Sequence, residues 1–242
     1  MVNERRDYDK KSRIIQVVEK SPNGTYRISY SYDFSGNPVT VMESQSANGI
    51  NTNVKTSFAY DNTGRLRTEK VYVNNVEQAS ITYAYDELGR LATKEYAKGS
   101  WSTTEAMAYN IRSWLTGKTG SCFSMQLKYN DVLSSNSTPL YGGGVSEWTW
   151  QHSGGSNNMY SLKYDKAERL TGATQYIASG SNWNTAPSHY TENNITYDKN
   201  GNILTLQRSA GRSIVDNLTC NYSSGNKLST LNESVTAPSR SA

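Results

Sequence analysis

Along Ser80-Ile81-Thr82-Tyr83-Ala84-Tyr85, apolar or aromatic side chains alternate with small and polar ones. Successive side chains of an extended chain point to opposite faces, so a period of two predicts a β-strand. A second run, Leu66-Arg67-Thr68-Glu69-Lys70-Val71-Tyr72, starts just after a cluster of turn-forming residues and reads as a returning strand. No stretch shows the three-to-four spacing of an amphipathic helix, and the chain is expected to be all-β.

The segments between strands recur. Tyr60-Asp61-Asn62-Thr63-Gly64-Arg65-Leu66 is matched by Tyr85-Asp86-Glu87-Leu88-Gly89-Arg90-Leu91 and by Tyr197-Asp198-Lys199-Asn200-Gly201-Asn202-Ile203. Looser copies begin at Tyr8-Asp9, Tyr32-Asp33, Tyr109-Asn110, Tyr164-Asp165 and Tyr222-Ser223. Each part of the unit has a physical role. The Asp side chain can accept from backbone amides two residues on and so start a turn. The Gly four residues after Tyr supplies the left-handed conformation of a hairpin with a G1 bulge. Each unit is therefore a β-hairpin with Tyr-Asp at its elbow.

Tyrosines at 8, 32, 60, 85 and 109 set a period of 24 to 28 residues. A lone hairpin is marginal in water, so such units must stack on their neighbours. The expected fold is a set of stacked antiparallel hairpins forming an extended, curved sheet, an open part of a β-shell or solenoid. The interval from Tyr109 to Tyr164 is 55 residues, about two units, with imperfect copies at Tyr129-Asn130-Asp131 and at Tyr141-Gly142-Gly143-Gly144. An irregular insertion is expected at about 130–160, and loops at Ser134–Pro139 and Ser179–Pro187. The scaffold is expected as one domain over 1–231, with a polar tail over 232–242.

Composition fits this picture. Of 242 residues only 35% are hydrophobic, yet there are 18 Tyr and five Trp, residues suited to pleated, half-buried surfaces. Net charge is +4, with Lys and Arg spread along the chain, which argues against a nucleic-acid partner. Cys122 and Cys220 lack neighbours at metal-ligand spacing, so no metal or cofactor is expected. No run of eighteen apolar residues occurs, and no membrane-spanning helix is expected.

The recurring Tyr-Asp-x-x-Gly-Arg-Leu resembles the YD repeats of bacterial RHS proteins, of toxin-complex C components and of animal teneurins. The segment Leu162–Ala173, and Tyr129-Asn130-Asp131 followed by Tyr141-Gly142-Gly143 and Trp148-Thr149-Trp150, look most like RHS-type proteins of Bacteroidetes. The resemblance covers about residues 8–231. It implies a β-sheet wound into a hollow shell that encloses a C-terminal toxic or signalling polypeptide, as in polymorphic toxins, on a secreted or cell-surface protein. Carbohydrate binding is ascribed to some members. The Asp/Pro-rich, self-cleaving segment that the family places after its repeats is not found, so the chain is expected to be a piece of a larger protein. The partners implied are the rest of that protein and its enclosed polypeptide. Open sheet edges are expected to favour oligomerisation.

Few residues suggest chemistry. The two histidines, His152 and His189, sit in loop-like contexts without evident partners. Paired carboxylates can hydrolyse glycosides, and Glu147 and Asp131 are the candidates, but turn formation accounts for Asp at the elbows. No catalytic residue is assigned and no enzyme is expected. Trp148 and Trp150 fall on one face of a strand, where indoles can stack on sugar rings or pack against a neighbouring sheet, and packing is preferred. Trp183, among Ser, Asn and Gly, is expected to be exposed. These three are the carbohydrate candidates. The residues expected to build the repeat are Tyr60, Asp61, Gly64, Tyr85, Asp86, Gly89, Tyr164, Asp165, Tyr197, Asp198 and Gly201. Gly142–Gly144 has no following Gly-Lys-Ser or helix and reads as a turn rather than a phosphate loop.

Overall fold

Wherever the sequence carries Tyr-Asp, the backbone reverses. The computed structural model describes residues 3–180, 182–185, 190–211 and 213–235, and its regular elements are all strands. His189, Ser181, Ala186 and Pro187 of the second expected loop, and residues 236–242 of the expected tail lie outside the described residues.

The chain divides into two units, Met1–Met107 and Ala108–Ala242. The first holds β1 (Asn3–Tyr8), β2 (Ile14–Ser21), β3 (Gly24–Tyr32), β4 (Pro38–Ala47) and β5 (Ile50–Tyr60). It continues with β6 (Leu66–Val73), β7 (Val76–Tyr85) and β8 (Leu91–Lys98), and β9 (Trp101–Tyr109) spans the division. The second unit holds β10 (Leu115–Thr119), β11 (Phe123–Lys128), β12 (Glu147–His152), β13 (Asn158–Tyr164) and β14 (Leu170–Ser179). Then come β15 (Asn182–Thr185), β16 (Thr191–Tyr197), β17 (Ile203–Ala210), β18 (Ser213–Ser223) and β19 (Lys227–Glu233).

Within each unit the strands pair antiparallel in chain order. One departure is β14, which pairs with β15 along its outer half and with β16 at Ala173 and Thr174. The protein is all-β, built of stacked hairpins.

The elbows show why these residues turn. Tyr60 stands opposite Leu66, with a register shift between Ala59 and Tyr60. The Gly64 amide donates to the Asp61 carbonyl at 3.0 Å, and the Asp61 amide to the Arg65 carbonyl at 2.9 Å. Gly64 has φ of 81° and Gly89 of 78°, the left-handed bulge position. At the far ends of the hairpins, Asn48-Gly49 and Asn74-Asn75 are left-handed at both positions, the turn form that matches strand twist.

Among the described residues few side chains are buried. The apolar ones are Val18, Tyr129, Met159, Ala173 and Ile195, and all but Val18 lie in the second unit. The remainder of the packing is made by half-buried aromatic, Thr and aliphatic side chains on the sheet faces, as the composition requires.

Candidate functional site

The elbow carboxylate is used completely. Asp61 Oδ1 accepts from the amides of Thr63 (2.9 Å) and Arg65 (3.0 Å), and its Oδ2 takes the Arg65 Nε at 2.7 Å. The arrangement recurs at Asp9 with Arg13, at Asp86 with Arg90 and at Asp165 with Arg169. Asn37 and Asn202 replace the arginine at Asp33 and Asp198, donating Nδ2 to Oδ2 at 3.0 and 2.8 Å. These bonds hold the carboxylates low. Asp61 is lowered first by the Thr63 hydroxyl, Asp165 by the Arg169 side chain and Asp198 by the Asn202 side chain.

A second layer of contacts joins one hairpin to the next. The motif tyrosine donates its hydroxyl to a carbonyl at the start of the preceding hairpin's return strand, or for Tyr164 two residues before it. In the first unit Tyr32 bonds Ile14, Tyr60 bonds Pro38 and Tyr85 bonds Leu66, at 2.7 to 2.8 Å. In the second, Tyr129 bonds Leu115, Tyr164 bonds Val145, Tyr197 bonds Leu170 and Tyr222 bonds Ile203, at 2.6 to 2.9 Å. The elbow arginine then covers the next tyrosine. Arg13 lies 4.4 Å from the Tyr32 ring centre, and Arg65 and Arg169 lie 4.5 Å from those of Tyr85 and Tyr197. One guanidinium thus fixes its own turn and the neighbouring ring, for about 1 kcal/mol of hydrogen bonding and 0.5–1 kcal/mol of cation–π attraction per joint. Tyr60, Asp61, Gly64, Tyr85, Asp86, Gly89, Tyr164, Asp165, Tyr197, Asp198 and Gly201 all occupy these positions.

The irregular stretch is a lengthened elbow. Tyr129 takes the anchor position, and Tyr129–Ser146 replaces the short turn between β11 and β12. Tyr141, the other imperfect copy, makes no such bond; its carbonyl instead accepts from Arg112 Nη1 at 2.7 Å. The glycine run passes over the Trp114 indole. A Cβ on Gly143 would lie 3.1 Å from that ring, and its φ is 100°, so a larger residue would be strained and would crowd the indole.

Glu147 pins this loop from below. Its fully buried carboxylate accepts the amides of Leu133 (2.7 Å) and Ser134 (2.8 Å), and Ser137 Oγ donates to buried Ser161 at 2.9 Å. Ser146 Oγ lies against the carbonyls of Tyr129 and Thr138. Glu147 is therefore a structural clamp. Asp131 pairs with Lys128 at 3.0 Å. Between the loop and the Tyr164 elbow lies a cavity of about 810 Å³, bordered by Tyr141, Gly142–Gly144, Lys163 and Glu168.

Strand register sorts the tryptophans. Trp148 faces Leu127 and Tyr160 across its neighbours, while Trp150 faces Met125 and Asn158. All share one face, opposite to buried Glu147, Thr149, Met159 and Ser161. The rings of Trp148 and Trp150 are 4.8 Å apart, and Tyr160 stacks on Trp150 at 5.3 Å. Trp148 remains 36% exposed. Burial raises the Tyr160 phenol, and Glu192 and Tyr190 add to the rise. Trp183 does not join them. Asn158 faces Ile177, which faces Asn184, so Trp183, opposite Ala178, points to the other side. It also lies in β15, not in a loop, and is half-buried. His152 ends β12 and sits 5.3 Å from the Phe123 ring.

Sequence reasoning did not find the tyrosine-to-carbonyl bonds, the arginine-to-tyrosine stacking, the clamp at Glu147 or Tyr160 as the third ring. For Tyr160 the signal was available in the alternation of Asn158, Tyr160 and Leu162.

No protein-family model matches the chain, and no curated protein matches it. Among solved structures it is similar to one described as TcdB2-TccC3 without the hypervariable C-terminal region, at 15% identity and a TM-score of 0.48. That likeness covers 95% of this chain, which spans only 15% of the other's length. A porin-like protein from Bacteroides uniformis is similar at 12% identity and a TM-score of 0.35, over 97% of this chain and 95% of the other. At these scores the two likenesses decide nothing about role.

Proposed function

We propose that the chain is a non-enzymatic scaffold, a segment of the YD-repeat shell of a larger RHS-type protein, secreted or displayed at the cell surface. The shell would enclose or present a C-terminal toxin or effector. The observation that carries the reading is the repeated joint. The elbow Asp side chains that could serve acid–base chemistry are committed to backbone amides, and Arg13, Arg65 and Arg169 to their Asp and a neighbouring ring. What they produce is stacking of one hairpin on the next, the task of a wall. The test is limited proteolysis of the full-length protein. The C-terminal polypeptide should resist cleavage while the repeats are intact, and be cut rapidly when Tyr60→Ala and Tyr85→Ala open two joints. Cleavage at the same rate in both proteins would contradict enclosure.

A second reading, a carbohydrate-binding module, is favoured by the Trp148–Trp150–Tyr160 platform. Half-exposed rings with Asn158 on the same face suit a sugar's apolar face and hydroxyls. On a glycan array, a bound sugar should be lost with Trp148→Ala and retained with Trp183→Ala, on the opposite face. No binding by the folded chain would remove this reading.

A further inference from the structure

Arg13, Arg65, Trp114 and Arg169 each stand just before a residue whose carbonyl accepts from a motif tyrosine, and each lies against that tyrosine's ring. The guanidinium groups cover Tyr32, Tyr85 and Tyr197, and the Trp114 ring centre is 5.0 Å from that of Tyr129. The covering guanidinium also reaches the next elbow. Arg169 Nη1 donates to the Asp198 carbonyl at 3.0 Å. Cβ atoms built on Gly36 and Gly89 would lie 3.5 and 3.2 Å from Nη1 of Arg13 and of Arg65.

The Tyr164 joint is built differently. Tyr164 bonds the Val145 carbonyl, so the covering position is Gly144, which has no side chain. Among the described residues no cationic side chain lies over the Tyr164 ring. The cavity of about 810 Å³ opens there, and Gly144, Tyr164, Asp165 and Glu168 all border it. Glu168 holds the elbow position that Gly36 and Gly89 hold beside a guanidinium. Its φ of 60° strains any residue but glycine, and strain of this kind collects at functional sites. A Cβ on Gly142 would lie 3.1 Å from Glu168 Oε1, so the carboxylate reaches the glycine wall of the cavity. It has no ion pair among the described residues. The Asp165 carbonyl accepts the Glu168 amide and keeps a second lone pair.

We propose that this cavity binds a small ligand carrying a guanidinium and a carboxylate, L-arginine being the simplest molecule with both. The guanidinium takes the place that an arginine of the chain fills at other joints. It lies over the Tyr164 ring, beside the Glu168 carboxylate and the Asp165 carbonyl. Lys163 borders the same cavity and has no acidic partner among the described residues, so it receives the carboxylate. The volume is that of a small-molecule site. All of these residues belong to the second unit, and the inference stands whether or not the chain is part of a shell.

Isothermal titration of the full chain with L-arginine tests it. Saturable binding is expected. Citrulline, which keeps the shape without the charge, and agmatine, which lacks the carboxylate, should each bind at least about tenfold more weakly. Glu168→Gly should raise the urea midpoint and yet weaken arginine binding by at least about tenfold, a pairing that a purely structural Glu168 would not produce. Gly144→Arg supplies the guanidinium from the chain itself and should block the site; if that variant fails to fold, Glu168→Gly carries the test. Either analogue binding as tightly as arginine would overturn the proposal. So would wild-type affinity in Glu168→Gly, or no saturable binding of arginine in the millimolar range.

Discussion

Arg65 binds the Asp61 carboxylate at 2.7 Å and lies 4.5 Å from the ring centre of Tyr85, in the next hairpin. Local turn chemistry and long-range stacking therefore meet in one side chain. Lysine keeps the charge but loses the planar fork, so Arg65→Lys should destabilise the protein by about 1 kcal/mol in urea unfolding. The converse change, Asn37→Arg, brings a guanidinium within reach of the Tyr60 ring and should stabilise it by about 0.5 kcal/mol.

The left-handed elbow position gives a matched pair of tests. Gly201 has φ of 88° and open space where a Cβ would stand, so Gly201→Ala should cost about 1 kcal/mol through the backbone alone. Glu168 occupies the same position of its repeat at φ of 60°. Glu168→Gly should relieve about 1 kcal/mol, seen as a higher urea midpoint.

Glu147 holds the long loop by two backbone amides. Glu147→Ala would orphan the buried Ser134 amide and the part-buried Leu133 amide and should cost about 2 kcal/mol. Limited proteolysis should then cut first within residues 130–145. An unchanged cleavage pattern would show that the loop holds without the clamp.

Acid should weaken the elbows together. Asp61 is lowered by the Thr63 hydroxyl and then the Arg65 amide, and Asp33 by the Asn37 side chain. A carboxylate held low when folded binds fewer protons than when unfolded. Its stabilisation is complete above the unfolded value of about 3.9 and is lost as pH falls through the lower folded value. Urea midpoints should therefore fall below about pH 4 and stay level from about pH 5 to 8 as far as these groups contribute. A midpoint level down to about pH 3 would contradict the assignment.

Much of the fold was legible in the sequence because the hairpin is a local device. Asp61, Gly64 and the alternation around Tyr85 carry their meaning within a few residues. What joins hairpins is not local. The Tyr85 hydroxyl bonds a carbonyl 19 residues back, and a carbonyl acceptor leaves no trace in residue identity. Tyr129 was hard to place because its elbow lengthens before β12 begins. Trp183 misled for a related reason: its Ser, Asn and Gly neighbours suit a loop, yet pairing with Ala178 makes the segment a strand. Glu147 resembled a catalytic candidate, and only the folded loop shows the amides it accepts.

The central claim is that the motif tyrosines join the hairpins through their hydroxyls. Equilibrium urea unfolding of Tyr85→Phe, Tyr197→Phe and Tyr141→Phe tests it most directly, since each change removes one oxygen. Tyr85 and Tyr197 bond Leu66 and Leu170 at 2.7 and 2.6 Å, whereas exposed Tyr141 holds no joint position. The first two variants should each lose about 1 kcal/mol and the third almost nothing. Three equal losses, or none in any variant, would contradict the account.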